Sequence, residues 1–79
     1  MKKGTEVPTK KGVFNIGDIL KAKLYERTPA GGTKLVFYTG ELVYHQDEAR
    51  FLILDPEKKL SFNLNMAEKP EVIKKWDEK

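Results

Sequence analysis

Cysteine is absent from the sequence, which excludes both a disulfide framework and a thiolate metal site. Histidine occurs once, at position 45, so a zinc site would need an unusual set of carboxylates. Serine also occurs once, at position 61, and a nucleophilic pair would have to unite Ser61 with His45 from separate strands. No apolar run approaches the length of a membrane span. The first twelve residues, MKKGTEVPTKKG, are basic and lack the apolar core of a secretory signal, so the expectation is a cytoplasmic protein with no membrane partner. At 79 residues the chain holds one domain with a small core, for which oligomerisation or unusual compactness would help.

What is present is charge, and it is unevenly spread. Charged residues make up 34% of the chain, enough for a soluble surface, and the net charge is +3. Residues 1–34 hold eight Lys or Arg against three acids, a net +5, whereas residues 35–79 carry −2. A basic half beside a mildly acidic one suits a polyanion-binding surface, although a lysine-rich chain can reach it by chance.

Residues 1–11 combine Gly4, Pro8 and four lysines with few apolar groups and read as a flexible basic arm. From Val13 onward the hydrophobic period is two. ILKAKLYER, KLVFYTGELVYH, RFLILD and LSFNLN are rich in β-branched or aromatic residues and are separated by TPAGGT, QDEA and DPEKK. Such short connections predict antiparallel neighbours, with GVFNI as a fifth short strand. Gly40 interrupts a long apolar strand and predicts a bend or bulge. Pro70, Glu71, Lys74 and Lys75 fit the two ends of a short helix over about 70–78, with Val72, Ile73 and Trp76 on its apolar side. The expected fold is mainly β: a small SH3-like antiparallel barrel, or a strongly bent four- to five-stranded meander, over residues 12–79 with a short C-terminal helix.

Pairing the first two long strands about TPAGGT, with Arg27 opposite Lys34, sets Leu24 against Phe37 on a core side. The other side then gathers Lys21, Lys23, Tyr25, Arg27, Lys34 and Tyr38, with Arg50 able to join from the next loop. A slip of one residue would reverse the second strand's sides. In the next hairpin, Tyr44 opposite Phe51 and Leu42 opposite Ile53 give a filled core, with Phe62 and Leu64 beside them. Val43, Leu52 and Leu54 fall on the reverse, for which the helix carrying Trp76, or a second subunit, would be the cover.

The stretch YTGELVYHQDEARFLILD, residues 38–55, resembles the first half of the Sm-like signature through Gly40, Leu42, Asp47, Leu52 and Asp55. It departs in having Arg50 near the place of the family's base-contacting asparagine. The family's second, Arg-Gly-centred signature is absent. The resemblance implies an SH3-like barrel and, with it, RNA binding.

Lysines and arginine beside aromatics supply phosphate neutralisation and stacking surfaces together. The expectation is therefore non-catalytic binding of nucleic acid, single-stranded or RNA, through Lys21, Lys23, Tyr25, Arg27, Lys34, Tyr38 and Arg50, with no cofactor and no metal. The plainer reading of the same residues is a solvated sheet face whose lysines discourage edge pairing. The alternative function is a protein-binding or self-assembling regulatory module using Val43, Leu52, Leu54 and Trp76 as its interface.

Overall fold

A computed structural model describes residues 1–57 and 60–78. Among these described residues seven strands form two antiparallel sheets. β1 (Glu6–Thr9) and β2 (Gly12–Asn15) make a hairpin. β3 (Ile19–Arg27), β4 (Thr33–His45), β5 (Arg50–Asp55), β6 (Leu60–Asn63) and β7 (Glu68–Lys74) form the larger sheet in the order β6-β5-β4-β3-β7. A single 3₁₀ turn at Leu64–Met66 links β6 to β7. The mainly β expectation holds, and all four principal strands fall where period-two patterning puts them. The order is linear with β6 and β7 at its edges, so among the described residues the larger sheet is not closed into a barrel. Among the described residues no helix is long and apolar enough to cross a membrane.

Two expectations need correction. Residues 6–9 of the predicted flexible arm are a strand, and Val7 is buried in the core with Phe14 and Ile16. Sparse apolar content misled here, because one valine suffices when its hairpin lies across a larger sheet. The predicted helix over 70–78 is instead β7 and a following turn. Two helical turns have little stability alone. Extended, the same residues pair with the open edge of β3, putting Glu71 opposite Lys21 and Glu68 opposite Lys23. Pro70 is tolerated because an edge strand has ladder bonds on one side only.

The core lies between the β1–β2 hairpin and the inner face of the large sheet, where Leu20, Ala22, Leu42 and Ile53 are fully or almost fully buried. Tyr44 and Phe51 pack as a tilted pair with centroids 5.1 Å apart, as their expected register requires. β4 serves two neighbours in turn: residues 33–41 pair with β3, and residues 41–45 pair with β5. The change of partner occurs beside Gly40. A Cβ there would lie 2.4 Å from the Leu54 carbonyl oxygen, so only glycine lets β5 cross so near.

Asp18 joins the layers and is fully buried. Its carboxylate accepts from the Asn15 N–H and from the Trp76 N–H, each at 2.9 Å. Its main-chain carbonyl accepts from the Leu42 N–H, also at 2.9 Å. Replacing Asp18 with alanine strands two backbone donors. The expected cost is about 2–4 kcal/mol, read as a fall in melting temperature of roughly 10 °C or more. Asp18→Asn, which keeps one acceptor oxygen, should fall between wild type and alanine in the same thermal unfolding series.

Candidate nucleic-acid interface

The register of the β3–β4 hairpin decides which side chains share a face. Arg27 pairs with Thr33, Glu26 with Lys34, Leu24 with Val36, Lys23 with Phe37 and Ala22 with Tyr38. This is one residue away from the register expected from the sequence. Five residues, Thr28 to Gly32, make the loop. It closes through the Thr28 N–H to the Gly32 carbonyl (2.9 Å) and the Gly32 N–H to Thr28 Oγ1 (3.1 Å), with Gly31 at φ +88°. The slip has a charge rationale. The expected register set Arg27 directly against Lys34, whereas the actual one sets Glu26 against Lys34.

The consequence is a different membership. Lys21, Lys23, Tyr25 and Arg27 remain together on the outer face of the sheet. Lys34 and Tyr38 leave it, because they alternate with Leu42 and Tyr44 onto the inner side. Tyr38 is buried, its ring tilted against Phe62 at 5.3 Å and its hydroxyl donating to Glu26 Oε1. Phe37 and Leu35 take their places on the outer face, 50% and 40% exposed beside Tyr25 at 64%. Nζ of Lys21 lies 5.2 Å from the centre of the Phe37 ring, and Nζ of Lys23 lies 5.5 Å from it. Both distances are within cation–π range. Sequence reasoning assigned Phe37 to the core. The signal that could have found it was the like-charge penalty at Arg27 and Lys34.

Around this patch lie both helpful and opposing groups. A shallow cleft of about 230 Å³ runs from Phe37, Lys21 and Lys23 to Lys69 and Glu71 on β7. Glu68 and Glu71 border the lysines, yet among the described residues the ion pair found is Arg50 with Glu48, at 3.3 Å. Arg50 sits opposite His45 at the far end of β4, away from the Phe37 patch. Val43, Leu52 and Leu54 share the outer face of β4 and β5, as expected, and Leu54 is 40% exposed. Trp76 does not cover them. It packs against Gly4, where a Cβ would come within 2.7 Å of the indole, and against Gly17. His45 and Ser61 belong to opposite ends of β5, the one level with Arg50 and the other with Leu54. His45 Nδ1 accepts from the Glu48 N–H at 3.2 Å, closing the polar loop. No group of three or more potential metal-ligating side chains occurs among the described residues.

One titration distinguishes the inner side. The Tyr38 hydroxyl is held above its ordinary pKa of 10.0, first by its hydrogen bond to Glu26, then by burial and by the charges of Glu26 and Asp55. The folded state therefore holds this proton more tightly than the unfolded chain does. Its contribution is fully present below about pH 10 and is lost as pH rises through the raised value. Urea midpoints measured from about pH 8 to about pH 11.5 should fall more steeply for wild type than for Tyr38→Phe.

No protein-family model matches the chain, and no curated protein or solved structure matches it either.

Proposed function

We propose that the protein binds single-stranded nucleic acid, with RNA as the favoured form, through the outer face of the β3–β4 hairpin and without catalysis. The observation that carries this reading is the approach of Lys21 and Lys23 to one exposed Phe37 ring, in line with Tyr25 and Arg27. Cations over a ring neutralise phosphates beside the surface on which a base stacks, which is what a single strand requires. The rings lie on a broad sheet rather than on a projecting helix, and among the described residues no element suits insertion as a recognition helix in the major groove. The likeness of residues 38–55 to the first Sm-like signature favours RNA over DNA. Lys34, Tyr38 and Arg50 have no part in this surface. Glu68 and Glu71 bound it along β7 and direct the strand toward the β4 side.

Fluorescence anisotropy with labelled single-stranded RNA, single-stranded DNA and duplex DNA, each at low and near-physiological salt, tests the reading. Three cations facing phosphates predict a slope of log affinity on log salt near −2, at about −0.7 for each phosphate contacted in a single strand. Phe37→Ala should weaken binding by roughly 5- to 150-fold, the range expected for one stacked base. Lys23→Glu should weaken it and flatten the salt slope. Tyr38→Phe, on the inner side, should leave affinity unchanged. The absence of binding by the folded protein at low salt would retire the proposal and leave the apolar outer face around Val43 and Leu52 as the place for a protein partner.

A further inference from the structure

The β3–β4 hairpin extends past its neighbours, so β3 beyond Lys23 and β4 before Glu41 each have an edge with no partner strand among the described residues. β7 accompanies β3 only as far as Lys23, and β5 accompanies β4 only from Glu41 onward. No strand among the described residues pairs with the outer edge of β4 over residues 33–40. The backbone groups that line this edge can be assigned. Leu42 turns toward the β2–β3 turn, its N–H donating to the Asp18 carbonyl and its carbonyl accepting from Gly17 N–H, each at 2.9 Å. Main-chain direction alternates along a strand, so Leu35, Phe37 and Thr39 direct their N–H and C=O groups the other way, to the bare edge.

The remaining edges are blunted in familiar ways. β7 carries Pro70 and two register irregularities against β3, β6 is four residues long, and the free end of β3 reads LYER with two charges. The β4 edge reads LVFYT from 35 to 39, with no charge, proline or glycine. That composition favours strand addition.

We infer that this edge pairs with the same edge of a second copy of the chain, antiparallel about a two-fold axis at Phe37. The choice of a second copy rests on charge. One end of the edge carries Arg27 and Lys34 against Glu26, a net positive charge, and the other opens into a groove of about 450 Å³ lined in part by Glu41, Asp55 and Glu57. Antiparallel self-pairing sets Leu35 against Thr39 and Lys34 against Gly40 of the second copy, which brings each basic end to the other's acidic groove. Parallel addition would bring like ends together. Pairing at Phe37 is an exchange of two hydrogen bonds between the same residue in both chains, as an isologous contact requires. The axis stands perpendicular to the sheet, so both outer faces lie on one side of a ten-stranded sheet. The inference is independent of nucleic-acid binding and is tested without it.

Sedimentation equilibrium of the pure protein from about 1 µM to about 1 mM should give a mass rising from one chain to two. Leu35→Pro removes an outward N–H and no bond to β3, so it should remain monomeric throughout while keeping the wild-type circular dichroism spectrum. Glu57→Lys, in the groove and outside the hairpin, should weaken the dimer by about tenfold or more in dissociation constant while leaving the monomer's thermal unfolding unchanged. A wild-type mass of one chain at every concentration would overturn the inference, as would a dimer that survives Leu35→Pro. Nucleic-acid affinity of the Leu35→Pro monomer plays no part in this test, because the mass is read without ligand.

Discussion

A buried carboxylate holds the two layers of this protein in register. An aspartate without exposure is costly unless its oxygens are fully engaged, and Asp18 engages both with main-chain donors, Asn15 on one side and Trp76 on the other. Its own backbone bonds to Leu42, so three segments far apart in sequence meet at one residue. Trp76 then lies over Gly4, which could not carry a side chain beneath the indole, and its Cβ sits close to Gly17. An apolar residue of similar size could fill the volume but would leave the two N–H groups unpaired. The polar bond thus specifies which chain ends meet, while burial of Leu20, Leu42 and Ile53 supplies most of the driving force.

The second constraint is the change of partner along β4. Thirteen residues in one strand would present a flat ribbon if the same neighbours ran its whole length. Gly40 lets β5 cross at its inner side, so the strand gives its C-terminal third to the core and its N-terminal part to the hairpin with β3. The proposed binding face and the bare edge both follow from that division. A residue with a side chain at position 40 would push β5 away, and the core residues Leu42 and Ile53 would separate with it.

Much of this was legible in the sequence, and the failures have specific causes. Period-two patterning locates β3, β4, β5 and β6 because each alternates apolar and polar groups over a buried face. The β4–β5 register was legible too, since QDEA leaves one arrangement in which Leu42, Tyr44, Phe51 and Ile53 all point inward. TPAGGT gave no such guarantee, because both sides of the β3–β4 hairpin carry mixed residues and a slip costs little in burial. There a hydroxyl closes the loop at Thr28, and the adopted register sets Glu26 opposite Lys34 rather than Arg27. β7 was misread for a different reason: proline, acids and lysines in helical order outweighed the availability of an unpaired β3 edge, which only the assembled sheet reveals. The connection spanning Lys58 and Lys59 in DPEKK lies partly outside the described residues.

The side chain and the backbone of Phe37 face different demands. Half exposed, the ring is an apolar liability unless something covers it, and the two lysine stems and ammoniums do so only in part. A stacked base would complete that cover from above the sheet. A second strand would act from the side, using the main-chain groups and leaving the outer surface of the ring open. The two uses are therefore compatible in geometry. In a two-fold pair the Phe37 rings become neighbours on one face, flanked on both sides by Lys21 and Lys23, so a strand laid across them meets a symmetric basic platform rather than a single short patch. Two linked sites raise apparent affinity without any new kind of contact. A monomer with three cations on one face would bind weakly and with strong dependence on salt, and the proposed pairing at the β4 edge would convert that modest surface into one of useful length.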